Sequence, residues 1–148
     1  MTGNRVLKIG ALAAATLPLL QGVALAQETG DLYDGEALLE ALLQREELCS
    51  TGMEAGIAIP HPRRPLPYAI AQPILVIANT PQGIGFGAPD GKPVDTLFLM
   101  ACRTVHEHLK LLARLATALR SEAFRQVLAR RAGPAEIIAA LRREETAP

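Results

Sequence analysis

The sequence predicts an α/β fold in which a sheet is covered by helices. Three observations predict it. Two apolar runs of strand length, residues 74–77 and 94–101, stand in the middle of the chain. Apolar residues at helical spacing precede them at 36–48 and follow them from Val105 onward. Strands and helices thus alternate, the pattern of a layered α/β domain. The 148 residues suit one compact domain, and the 49% apolar content can supply its core. Aromatic residues are only 3%, so aliphatic packing must account for most of the burial.

The elements follow in order. Arg5 and Lys8 precede an apolar stretch at 9–20, and Ala24-Leu25-Ala26 follows as a small-residue cleavage site. That is the layout of a secretory leader. The rival reading is the first strand and helix of a cytosolic domain, with Leu12, Leu17, Leu19 and Leu20 in its core. Pro18 would interrupt such a helix, so the local pattern alone favours the leader. The stretch is too short and too interrupted for a transmembrane helix. Residues 36–48 read as a helix capped by Asp34, with Leu38, Leu39, Leu42 and Leu43 on its apolar face. Ser50-Thr51-Gly52 turns the chain into a short strand at 56–59, which stops at Pro60. Pro60, Pro62, Pro65 and Pro67 exclude a helix or a central strand over 60–67. The run 74–77 reads as a strand buried on both faces. The glycines after it, Gly83, Gly85, Gly87 and Gly91, lack the spacing of a nucleotide-binding loop and read as turn glycines. After the strand at 94–101, Thr104 and Glu107 form a capping box. The helix behind it places Val105, Leu109, Leu112, Ala116 and Leu119 on one face. Gly133-Pro134 ends one helix and starts the last, at about 135–143, and the tail after Glu144 is expected to fray.

Charge and cysteine content exclude several classes. Fifteen basic and 15 acidic side chains give a formal net charge of zero, so there is no electrostatic footprint for nucleic acid or an acidic membrane surface. Cys49 and Cys102 lie far apart, and with three histidines they form no zinc spacing. Both are expected to be reduced, mostly buried thiols.

Candidate chemistry centres on the histidines. His61 is held between Pro60 and Pro62 and followed by Arg63 and Arg64. Imidazole is nucleophilic near neutral pH, and a hydrogen bond to one ring nitrogen leaves the other to attack. The bland alternative is an exposed Pro-His-Pro turn. His108, the fourth residue of its helix, falls beside the apolar stripe, and His106 falls on the solvent side. A histidine near a helix N-terminus can donate to a phosphate or simply be half-core. Arg45, at the end of the first good helix, either complements the helix dipole or neutralises a phosphoryl group.

The run Arg45-Glu46, Ser50-Thr51-Gly52 and Gly56-Ile57-Ala58-Ile59-Pro60-His61 resembles the active-site signature of phosphotransferase-system enzyme IIA domains of the fructose–mannitol and nitrogen-regulatory class. His108 to Ala116 is similar to the family's second histidine segment. The resemblance implies a single α/β domain at 31–148, with a mixed central sheet covered by helices on both faces, after a divergent N-terminal segment at 1–30. It implies that His61 accepts a phosphoryl group from an HPr-like phosphocarrier protein, with Arg45 and His108 supporting it. The next acceptor would be a sugar-transporter IIB domain or a regulatory protein. No cofactor or metal is needed in such a relay, and a cytoplasmic location follows because its donors are cytosolic. A shallow apolar rim of Ile57, Ile59 and Leu66 would meet the donor. Three departures stand out: Met53-Glu54-Ala55 where the family commonly has a glycine, Pro62 after the histidine, and a nearly uncharged stretch at 9–26 where the family usually has a polar strand and an amphipathic helix. A non-catalytic regulatory binding module of the same fold is the alternative.

Overall fold

The computed structural model describes residues 3–146, with side chains described from residue 14. The chain forms two compact units, Met1–Val105 and His106–Pro148.

The first unit contains α1 (Gly3–Glu28), α2 (Gly35–Leu48), β1 (Ile57–Ala58), β2 (Ile74–Ile84) and β3 (Val94–Ala101). The sheet order is β1-β3-β2, with β1 parallel and β2 antiparallel to the central β3. The mixed sheet expected from the sequence is therefore present. In register, Ala58 pairs with Leu97 and Leu97 with Ala78, while Leu99 pairs with Val76 and Ala101 with Ile74. Leu97, Leu99 and Ala101 thus share one face, which forms the core with Ala15, Leu19, Val23 and Ala26 of α1 and Leu38 and Leu42 of α2. Phe98 and Met100, on the opposite face of β3, are also fully buried.

The described part of α1 packs into the core of the first unit. Ala15, Leu19, Gly22, Val23 and Ala26 recur at helical spacing and are buried. A Cβ on Gly22 would come within 2.7 Å of the terminal methyl of Leu99, so a larger residue there would require Leu99 to shift. Pro18 sits inside α1 and does not end it. Of the proposed N-terminal core residues, Leu19 is buried, whereas Leu17 and Leu20 are exposed. The side chains of Arg5, Lys8 and Leu12 lie outside the described residues. No helix among the described residues is long and apolar enough to cross a membrane.

α2 forms as its sequence dictates. The Asp34 carboxylate accepts from the Ala37 amide at 3.0 Å, capping the first turn. β2 departs from expectation. It is an edge strand, so Ile74 and Val76 are buried while Leu75 and Ile77 are only half-buried. It also continues through Pro81 and a bulge to Ile84, further than the apolar run suggests; an edge tolerates a residue without an amide hydrogen.

The second unit holds most of α3 (Val105–Arg120), with α4 (Glu122–Ala129) and α5 (Pro134–Thr146). The helical phase of α3 differs from the sequence reading. Leu115 and Ala118 are buried, whereas Val105, Leu109 and Ala116 are exposed. Ser121 caps α4 by accepting from the Phe124 amide at 3.3 Å, and its hydroxyl donates to Glu144 of α5 at 2.8 Å. Pro134 is the first residue of α5, where its missing amide hydrogen has no helical partner to lose. α5 continues to Thr146, past the expected fraying point, and the last two residues lie outside the described ones.

Candidate functional site

The site begins in the last turn of α2. Arg45 is half-buried, and its guanidinium donates to the Cys49 carbonyl at 2.5 Å. A cation here satisfies a carbonyl that the helix end leaves without an intrahelical partner. The neighbouring Glu46 turns inward. Its carboxylate accepts from the Thr51 amide at 3.1 Å and also from the Thr51 hydroxyl. Burial raises the pKa of Glu46 above its ordinary value, against the opposing pull of Thr51 and Arg45.

The turn after α2 is held on several sides. The Ser50 hydroxyl donates to the Phe86 carbonyl, and the Gly52 amide donates to Ser50 Oγ at 2.9 Å. Gly52 bridges to Ala58, and the Ile59 amide donates to the Thr51 carbonyl at 3.0 Å. The 53–55 departure has a structural signature. Ala55 has φ 63° and Gly56 has φ 77°, so two successive residues are left-handed and the first is not glycine. The Ala55 amide donates to Asp90 at 3.0 Å. Backbone amides of Lys92 and Ala55 hold the Asp90 carboxyl below its usual range.

His61 follows directly. Pro60 is buried and its carbonyl accepts from the Met100 amide of β3 at 2.9 Å; Pro62 is buried as well. His61 itself is half-buried, and its Nδ1 lies 2.7 Å from the Ile59 carbonyl. A carbonyl oxygen can only accept, so Nδ1 carries a proton, and in the neutral ring the lone pair lies on Nε2. Arg63 and Arg64 are exposed, and with Ala41, Gln44, Arg45, Glu47, Leu48 and Leu66 they line a groove of about 520 Å³.

The structure therefore brings Arg45 beside the arginines that follow His61. His108 lies in the second unit, on the first turn of α3. It is half-buried, and desolvation lowers its pKa. His106 is exposed, as expected. The expected apolar rim is corrected. Ile57 and Ile59 are buried at the sheet, and of the three only Leu66 is partly accessible. Of the cysteines, Cys102 is buried, but Cys49 is exposed because it lies just beyond α2; neither forms a disulfide. Glu46 was not legible as a site residue, because an acidic residue in the last turn of a helix ordinarily faces water.

Fold and site together define an α/β domain that presents a proline-flanked histidine of fixed tautomer on a loop pinned to the sheet, beside a groove lined by arginines. The sequence profile of the family described as phosphoenolpyruvate-dependent sugar phosphotransferase system, EIIA 2, matches residues 18–144, and the chain belongs to that family. It is 36% identical over 106 residues to the fructose-specific EIIA component of Haloferax volcanii, covering 70% of this chain and 67% of that protein. It is 38% identical over 89 residues to a nitrogen regulatory protein of Pseudomonas aeruginosa, covering 59% of this chain and 56% of the relative. The chain thus spans little more than half the length of that second relative. Among solved structures, the complex of mannitol enzyme IIA with phosphorylated enzyme IIB from Escherichia coli matches with a TM-score of 0.72 at 21% identity, covering 85% of each chain; this is a likeness of fold.

Proposed function

We propose that the protein is a phosphoryl carrier of the phosphoenolpyruvate-dependent phosphotransferase system, with His61 as the acceptor. The observation that carries this reading is the 2.7 Å contact between His61 Nδ1 and the Ile59 carbonyl, which orients the ring and leaves the lone pair on Nε2. Nε2 attacks the phosphorus of a donor phosphohistidine in line. The donor's P–N bond breaks, and its electron pair returns to the donor ring nitrogen. The new N–P bond leaves His61 cationic, with its Nδ1 proton facing a carbonyl dipole. Such a transfer needs positioning and charge stabilisation more than covalent catalysis. Arg45 supplies a cation for the phosphoryl oxygens. His108 is read as a second supporting histidine from the family resemblance alone.

The donor is an HPr-like phosphocarrier protein. The recipient is a IIB domain or a regulatory protein, in keeping with the fructose-specific and nitrogen-regulatory relatives. The location is cytoplasmic, where such donors are found. Residues 31–148 form the enzyme IIA domain and 1–30 its divergent N-terminal segment; the burial of Leu19, Val23 and Ala26 supports treating the second half of α1 as part of the folded unit. The strained Ala55 turn favours a second reading, a regulatory binding module of the same fold that does not turn over phosphate.

Incubation with phosphoenolpyruvate, enzyme I and HPr, followed by intact mass at alkaline pH, tests the proposal. One phosphoryl group is expected on the wild type and none on His61→Ala. Labelling that persists in His61→Ala refutes the assignment. A wild type that never gains mass supports the binding module.

A further inference from the structure

We propose that Glu46 is a positioning residue that sets the tautomer and orientation of His61 through Thr51 and Ile59. The inference rests on the reading of His61 as phosphoryl acceptor, but its first readout does not.

The contacts form one continuous series. The Glu46 carboxylate gathers both donors of Thr51, its amide at 3.1 Å and its hydroxyl. Thr51 is only 6% exposed, so no water competes freely for these groups. The Thr51 carbonyl accepts from the Ile59 amide at 3.0 Å. The Ile59 carbonyl accepts from His61 Nδ1 at 2.7 Å. The amide and the carbonyl of Thr51 lie in two peptide planes hinged at one Cα, and both are hydrogen-bonded, as are those of Ile59, so each of these residues is held from both sides. A displacement of Thr51 therefore reaches the oxygen that holds the imidazole proton. An imidazole without that acceptor can carry its proton on either nitrogen, and the form with Nδ1 unprotonated has its proton on the attacking atom.

The placement of Glu46 is costly for stability alone. It lies in the last turn of α2, where the helix dipole disfavours negative charge. It is also turned inward, where desolvation disfavours the charged form. A neutral residue facing solvent at this position would meet neither penalty. The carboxylate returns two acceptor oxygens with several lone pairs, which can take an amide and a hydroxyl at once; a glutamine has a single acceptor oxygen.

The test uses the full chain labelled with 15N. Long-range 1H–15N spectra of the His61 ring report the tautomer without any phosphorylation. In the wild type the Nδ1–H form dominates. In Glu46→Ala the ring becomes a mixture of both forms. The single-turnover rate at saturating phospho-HPr falls about tenfold, as for loss of one charge-assisted contact, while the half-saturating donor concentration stays the same. Glu46→Gln recovers part of both signals. If Glu46→Ala does not fold, Thr51→Val serves instead: it keeps the amide, removes the hydroxyl and should shift the tautomer in the same direction. A His61 ring that keeps the wild-type tautomer in a folded Glu46→Ala or Thr51→Val protein overturns the inference, even if His61 is labelled. Labelling of His61→Ala would instead overturn the reading of the acceptor and leave the tautomer result standing.

Discussion

Ala55→Gly should stabilise the protein, and the magnitude follows from the turn. Ala55 holds φ 63°, a left-handed conformation that costs an L-residue roughly 1–2 kcal/mol. Glycine removes that strain but gains about 0.4–1 kcal/mol of conformational freedom in the unfolded chain. The net gain lies between about zero and 1.6 kcal/mol, centred near 0.8 kcal/mol. Ala55 is exposed, so the lost methyl group takes little packing with it, and the amide bond to Asp90 is retained. For a chain of this size the gain corresponds to a rise of about 2–3 °C in Tm. Thermal unfolding followed by circular dichroism measures it. Gly56→Ala is the control: it is also left-handed, and a Cβ there would lie 3.1 Å from the Asp95 carboxylate, so Tm should fall. A lower Tm for Ala55→Gly would show that the turn is not strained as described.

Three further outcomes are expected. Arg45→Ala should slow phosphoryl transfer roughly ten- to a hundredfold and lower stability by about 0.5–1.5 kcal/mol, because the guanidinium also satisfies the Cys49 carbonyl; stopped-flow labelling and urea unfolding separate the two effects. His106→Ala should transfer at the wild-type rate, whereas His108→Ala should accept phosphate but pass it on slowly; equal effects in a rapid-quench assay would refute the distinction drawn from their burial. His108 also makes stability depend on pH. Desolvation holds its folded pKa below the ordinary value of about 6.5, so the unfolded chain binds its proton more readily. Its contribution is complete above pH 6.5 and is lost as pH falls through the folded value. Unfolding midpoints for wild type and His108→Gln should converge in mild acid.

Where side-chain periodicity had one solution, the sequence was legible. The helix with Leu38 and Leu42 inward, the Asp34 cap and the bounds of β3 all follow from spacing that admits no other face. α3 was less determinate. Leu109, Leu111, Leu112 and Leu115 allow two overlapping stripes, and tertiary packing selected the one through Leu115 and Ala118. An apolar run cannot distinguish a central strand from an edge, which is why the half-exposure of Leu75 and Ile77 was missed. At the site, His61 and Arg45 stood out by residue type and by resemblance. Ile57 and Ile59 were misplaced because their pairing with the sheet is non-local, and the inward turn of Glu46 depends on Thr51 reaching it from beyond the helix.

The segment from Pro60 to Ala71 has neither helix nor strand, yet its backbone is stitched to distant parts of the first unit. Leu66 donates to Cys102 at 3.0 Å, Ala71 donates to Asp31 at 2.7 Å, and Ala69 accepts from Tyr33 at 2.7 Å. Its four prolines have no amide hydrogen to lose. The amides of Leu66, Ala69 and Ala71 should therefore exchange slowly, unlike those of the exposed Arg63, Arg64 and Tyr68. A phosphoryl group added to His61 would then be read by a partner as new charge on a fixed surface, with no loop rearrangement to transmit it.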